Sequence, residues 1–253
     1  MKSFKFLIGT ALAASLLAAP AAWAWNEGGG EQDEAAKLFE SFKGKSEAEK
    51  KKLHQDGIAV YEICSACHLP EGWGAKDGTF PQIAGQHAEV IIKQLADIRA
   101  LNRDNPTMYP FALPKEIKNA APEVGGGPYA IAAVSYYISK LLMNPDPGVG
   151  DGTDLEYGAK LYKENCVRCH GEHGEGDHVK FYPLIQGQHY KYLLRQFEWI
   201  RDGKRRNANP DMVKQINGFS DRDMKAVIDY VSRLKPPKEK LAPSADYINP
   251  DFD

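Results

Sequence analysis

Cys64-Ser-Ala-Cys67-His68 and Cys166-Val-Arg-Cys169-His170 are two copies of one pattern, set 102 residues apart, and together they hold all four cysteines of the 253-residue chain. Cysteines three positions apart can each form a thioether to a vinyl group of one haem, and the adjacent histidine is then placed to ligate the iron. Each copy therefore predicts one covalently attached c-type haem. The competing chemistries are a redox dithiol, a structural zinc site and a pair of disulfides. A dithiol does not need the following histidine, zinc more usually takes two CxxC units close together, and disulfides explain neither the spacing nor the histidine.

The elements that must position these residues are also duplicated. Gly57-Ile-Ala-Val-Tyr61 precedes the first motif and Gly158-Ala-Lys-Leu-Tyr162 the second. Glycine and an aromatic four apart share one helix face, which lets a second helix approach closely. A partner helix is visible at the far end of each copy. Ile131, Val134, Ile138 and Leu141 form an apolar stripe in the first; Met224, Val227, Ile228, Val231 and Leu234 form one in the second, behind a cap at Ser220 with Asp223 three residues on. Between these ends, Pro81-Gln-Ile-Ala-Gly85-Gln86-His87 matches Pro183-Leu-Ile-Gln-Gly187-Gln188-His189, and Asn105-Pro-Thr-Met108 matches Asn209-Pro-Asp-Met212. The chain is thus an internal tandem repeat.

In these motifs the chain resembles the dihaem cytochrome c4 family, whose members carry two class I cytochrome c domains in tandem, each with CxxCH, a Pro-x-x-x-Gly-Gln segment and a distal methionine. The resemblance covers roughly residues 55–235. It implies an all-α fold of two helical cytochrome c domains, each built around one covalent haem and related by a pseudo-twofold axis. It also implies electron transfer between redox partner proteins, with no small-molecule substrate. A longer passage from Met108 to the first closing helix, including Gly125-Gly-Gly127, and a long lead-in before Gly57 depart from the pattern.

By motif, His68 and His170 are the proximal ligands. Met108 and Met212 are the candidates for the sixth position, because the only other methionines after the leader are Met143, which matches nothing in the second copy, and Met224, which lies on an apolar stripe. A core role is the alternative for both. His87 and His189 are rival distal ligands, although each falls at the expected start of a helix, where a partly exposed polar residue is the ordinary explanation. By resemblance, the carbonyls of Pro81 and Pro183 orient the two proximal imidazoles. Arg195, Arg201, Lys204, Arg205 and Arg206 form a basic stretch that is either a solvated helix face or a contact to haem propionates or a partner. His173 and His178 read as solvated loop residues.

The chain opens with Met1-Lys-Ser-Phe-Lys5, an apolar run from Phe6 to Ala19, and Ala22-Trp-Ala24, the pattern of a secretory signal cleaved after Ala24. Periplasmic export follows as the expectation, and no later stretch reads as a membrane span. Without Lys2 and Lys5 the chain has 30 basic and 34 acidic residues, which argues against nucleic-acid binding. The expected organisation is a signal peptide over 1–24, a polar N-terminal extension over 25–52, cytochrome c domains over 53–145 and 153–236, a Pro/Gly-rich linker over 146–152 and a polar tail over 237–253. Leu38, Phe39 and Phe42 allow a short amphipathic helix in the extension.

Two cysteine-anchored haems and paired methionines predict a periplasmic dihaem electron carrier. Its partners would be a membrane-bound oxidase or reductase, or a periplasmic dehydrogenase. The alternatives are the electron-accepting subunit of a sulfur-compound dehydrogenase, such as flavocytochrome c sulfide dehydrogenase, and a dihaem enzyme with an exchangeable distal ligand, such as a peroxidase or thiosulfate dehydrogenase.

Overall fold

The computed structural model describes residues 29–252. The expected signal peptide lies outside the described residues. Among the described residues eleven α-helices follow one another: α1 Gly29–Phe42, α2 Glu47–His68, α3 Ala88–Arg99, α4 Tyr109–Ala112, α5 Pro114–Ala120, α6 Pro128–Lys140, α7 Leu155–Asn165, α8 Val167–His170, α9 Tyr190–Arg201, α10 Pro210–Ile216 and α11 Asp221–Ser232. Among the described residues there is no β-strand, only isolated bridges between Met143 and Leu241 and between Asp177 and Tyr182.

Each half is organised around a pair of crossing helices, α2 with α6 and α7 with α11. The glycines set these crossings. A Cβ on Gly57 would stand 2.6 Å from the Ala133 carbonyl oxygen, and one on Gly158 would stand 2.1 Å from that of Ala226. Both contacts are closer than packed atoms tolerate, so the helices meet backbone to backbone. α11 starts at the expected box, with Ser220 accepting from the Asp223 amide and Asp223 accepting from the Ser220 amide. Its stripe of Met224, Val227, Ile228 and Val231 is buried, as is the stripe of α6.

The two halves differ by one residue at the haem motif. Cys64 follows Tyr61 by three positions and Cys166 follows Tyr162 by four. In the first half α2 runs unbroken to His68; in the second the extra residue interrupts the helix at Cys166, between α7 and α8.

Two segments pack more firmly than their sequences suggested. α1 lies against α3 and α6, with Ala35 fully buried against Ile92 and Ile131, and the boundary expected between residues 52 and 53 falls inside α2. The C-terminal segment folds back on the first half. Met143 and Lys240 are joined through the Met143 amide (2.8 Å), Asn249 donates to the Pro70 carbonyl (2.6 Å) and the Tyr137 hydroxyl (2.8 Å), and Phe252 packs edge-on to Tyr61. Its apolar residues are isolated rather than periodic, so the sequence pattern reads as a polar tail.

Candidate haem-binding site

His68 closes α2 and His170 closes α8, and both imidazoles are buried. His68 Nδ1 lies 3.0 Å from the Pro81 carbonyl oxygen and His170 Nδ1 lies 3.2 Å from that of Pro183. A carbonyl only accepts, so each Nδ1 carries the proton and each Nε2 keeps its lone pair. Burial pushes both imidazoles below the ordinary histidine range, which the carbonyl contacts partly offset. The result is a neutral, oriented nitrogen base. The chain leaves each histidine through a left-handed residue, Leu69 (φ 66°) or Gly171 (φ 77°), whose carbonyl accepts from Tyr61 (2.8 Å) or Tyr162 (2.6 Å).

One continuous cavity of about 620 Å³ is lined by Cys64, Cys67 and His68, by Cys166, Cys169 and His170, and by Met108 and Met212. Met143 and Met224 do not line it. Met224 is core, as expected, and Met143 is buried between the halves beneath Gly85 and Gly187. Met108 stands at the start of α4 with its amide bonded to the Asn105 side chain at 3.2 Å. Asn209 caps α10 by accepting from the Asp211 amide, which places Met212 in the first turn. Apolar groups such as Ile91, Val134 and Ile138 on one side and Phe197, Val227 and Ile228 on the other complete the walls. Burial pushes the Cys64 and Cys166 thiols up to about 12, so this wall favours an uncharged sulfur, as a thioether is. These residues fit a covalent, largely apolar macrocycle at each CxxCH.

The rival histidines serve a different purpose. His87 Nε2 donates to the Glu175 carbonyl and His189 Nε2 to the Trp73 carbonyl, both at 2.7 Å. Each reaches across to the loop after the opposite haem motif. His189 is 1% exposed rather than partly exposed, and its Nδ1 accepts from the Gly148 amide at 3.1 Å. Neither histidine lines the cavity. The preceding glutamines make the matching clasp. Gln86 brackets Leu184, accepting from its amide (3.0 Å) and donating to its carbonyl (2.8 Å), and Gln188 brackets Gln82 in the same way (3.0 and 2.7 Å). Equivalent members of the two clasps, Gln86 with Gln188 and Gln82 with Leu184, are separated by the repeat interval of 102, so the hydrogen bonds themselves obey a pseudo-twofold axis. Gly85 (φ 70°) and Gly187 (φ 68°) supply the left-handed turn that aims these side chains.

The basic stretch divides. Arg201 pairs with Asp202 and Asp221, Lys204 is exposed near Asp202, and Arg206 donates to the Leu101 carbonyl. Arg195 and Arg205 line the cavity. Arg195 lies over the Tyr192 and Trp199 rings, and its Nε is buried without a hydrogen-bond partner. His173 is exposed, whereas exposed His178 contacts Glu89 through Nδ1 at 3.1 Å.

A two-lobed helical protein with both CxxCH motifs on one cavity is a dihaem c-type cytochrome. The family model described as Cytochrome c matches residues 155–235. The chain is 30% identical over 194 residues to the thiosulfate dehydrogenase electron acceptor of Stutzerimonas stutzeri (strain A1501), which covers 74% of this chain and 87% of that protein. It is 29% identical over 182 residues to cytochrome c4 of Azotobacter vinelandii, covering 68% and 84% respectively. Reduced recombinant cytochrome c4 from Pseudomonas stutzeri shares the fold with a TM-score of 0.57 at 24% identity, covering 71% of this chain and 97% of that one. The chain belongs to the dihaem cytochrome c4 family, carries two covalently bound c-type haems and acts in electron transfer. No helix among the described residues is long and apolar enough to cross a membrane.

Proposed function

We propose that this chain is a periplasmic electron carrier in which Cys64, Cys67, His68 and Met108 hold one haem and Cys166, Cys169, His170 and Met212 hold the other. The observation that carries this reading is the cavity wall, which brings together both CxxCH motifs and, of the methionines in the described residues, only Met108 and Met212. Once bound, the two haems supply one-electron redox chemistry at iron. The chain's own residues set the conditions for it. Pro81 and Pro183 hold the Nδ1 protons, so Nε2 of each histidine is the donor atom. The Met108 and Met212 thioethers favour ferrous iron and a raised potential, which suits the oxidising side of a respiratory chain. The apolar walls keep water from the reacting centres. The two lobes, proposed as residues 53–145 and 153–236, exchange electrons across their clasped interface, and the partners are redox proteins of a membrane oxidase or reductase, or of a periplasmic dehydrogenase. The leader over 1–24 directs export.

The test is carbon monoxide. With methionine at both distal positions, the reduced protein binds it slowly or not at all at neutral pH. Rapid stoichiometric binding at either haem would overturn the carrier reading in favour of an enzyme with an exchangeable ligand.

A second reading is favoured by the name of the S. stutzeri relative: the chain is the electron-accepting subunit of a sulfur-compound dehydrogenase. Rapid reduction by such a dehydrogenase and its substrate, but not by a membrane quinol-oxidising complex, separates this reading from the first.

A further inference from the structure

The cavity carries more positive charge than the protein neutralises. Its wall includes Lys93, Arg103, Arg168, Arg195 and Arg205 but, among the described residues, a single carboxylate, Asp211. Lys93 is matched by Asp97 at 2.7 Å, with both side chains buried. Arg103 and Arg205 have neutral partners. Arg103 Nη1 donates to Gln94 Oε1 (2.7 Å) and its Nη2 to the Tyr192 hydroxyl (3.3 Å) and Gln196 Oε1 (3.4 Å). Arg205 Nη1 donates to Gln196 Oε1 (3.0 Å), its Nη2 to Gln94 Oε1 (3.1 Å) and its Nε to Asn207 Oδ1 (3.3 Å). Asp97 reaches Arg205 by hydrogen bonds through Asn207, whose amide donates to it at 2.8 Å, and its charge offsets only part of what burial and Arg103 impose on Arg205.

Each glutamine oxygen thus accepts from both arginines, one from each lobe, and Arg103 and Arg205, like Gln94 and Gln196, differ by the 102-residue interval that separates the haem motifs. The duplication has placed two guanidiniums side by side on the pseudo-twofold axis. Like charges in a poorly solvated site repel strongly unless an anion joins them. Burial and the charge of Arg103 hold Arg205 down to about 10, against the opposing influence of Tyr192 and Asp97. On Tyr192 burial is outweighed by the charges of Arg103 and Arg205, so its hydroxyl lies below the usual tyrosine range. The groups that enter this cavity bring carboxylates of their own, since each haem carries two propionates.

We propose that Arg103 and Arg205 form one shared anion seat that neutralises propionates of both haems, so that each arginine sets the reduction potential of both lobes. This rests on haem attachment at the two CxxCH motifs. A planar guanidinium with a fork of donors suits a carboxylate better than an ammonium does. With one arginine already touching both glutamines, a charge change in one lobe is felt in the other.

The test is a spectroelectrochemical titration of the full-length dihaem protein and its Arg103→Gln and Arg205→Gln variants, with the Arg→Lys variants as charge-preserving controls. Loss of a nearby cation favours the oxidised haem, so each single Gln variant lowers both midpoint potentials. The expected fall is at least threefold in each one-electron equilibrium constant, about 28 mV. In the Gln variants the potentials also become more pH-dependent, because a propionate that has lost its partner titrates nearer neutrality; the Lys variants keep potentials near those of the parent. A shift confined to one haem, unchanged potentials, or an equal fall in the Lys variants overturns the proposal. Failure of haem attachment itself would show separately, as a loss of covalently bound haem mass from the parent protein.

Discussion

Gln188→Ala tests whether the lobes are held by the glutamine clasp. In the parent, Gln188 Oε1 accepts from the Gln82 amide (3.0 Å) and from the His189 amide (3.1 Å), while its Nε2 donates to the Gln82 carbonyl (2.7 Å). Gln82 is 3% exposed and Gln188 8%, so the substitution strands two backbone groups of Gln82 away from water. A buried group that loses its partner costs about 1–3 kcal/mol, giving roughly 2–6 kcal/mol for the pair. Water entering the space left by the side chain brings the expected value to the lower half of that range, about 2–4 kcal/mol. The cost falls on docking of the lobes rather than on either core. Proteolysis of the 146–152 segment under native conditions follows the population of the open form, so cleavage accelerates by roughly 30-fold or more while both haems keep their spectra. Gln86→Ala, the pseudo-twofold counterpart, has a smaller effect because Gln86 is only half-buried. The double variant costs less than the sum of the two, since an interface opened by one change has little left to lose. Cleavage rates within twofold of the parent in Gln188→Ala, or strict additivity with Gln86→Ala, would refute the reasoning.

Gly158→Ala drives a methyl into the Ala226 carbonyl at the α7–α11 crossing, and the expected loss is about 3 kcal/mol in urea unfolding, whereas alanine at exposed Gly218, which has open space around its Cβ position, costs far less. Acid opens the interface: burial, followed by the influence of the nearby lysines Lys240 and Lys76, lowers the His87 and His189 pKa values against their carbonyl bonds and the neighbouring acids Glu89 and Asp77. Because the docked values lie below those of free histidine, the clasp is intact above about pH 6.5 and is lost as pH falls through the docked values. His189→Gln should flatten this acid transition in linker proteolysis. Cys166→Ala with Cys169→Ala removes the macrocycle from a small lobe whose walls are shaped around it, so that lobe loses its cooperative melt; a native-like transition there in calorimetry counts against this.

Periodicity made the scaffold legible. The stripes of α6 and α11, the Ser220–Asp223 box and the Gly57 and Gly158 crossings all follow from spacings within one helix, and the CxxCH pairs from a motif with its own chemistry. What lies between the repeats was harder to read. Gln86, His87, Gln188 and His189 stood out as repeated residues, yet which groups they bond is a property of the axis and not of either repeat. His189 therefore read as partly exposed when it is buried between two backbone groups. Arg103 was missed because it is isolated in sequence; its signal was the 102-residue interval to Arg205. The C-terminal segment hid its role for a simpler reason, as Leu241, Tyr247 and Phe252 reach the first core singly, with no helical period to mark them.

The most direct test of ligation is the red absorption band of an iron–thioether bond in the ferric protein, measured in Met108→Ala and Met212→Ala. The structure puts one methionine from each lobe on the cavity wall, so the parent shows the band at two-haem intensity and each single variant retains about half of it, both haems still being covalently attached. A band left undiminished by either substitution would contradict the assignment of His68 with Met108 and His170 with Met212.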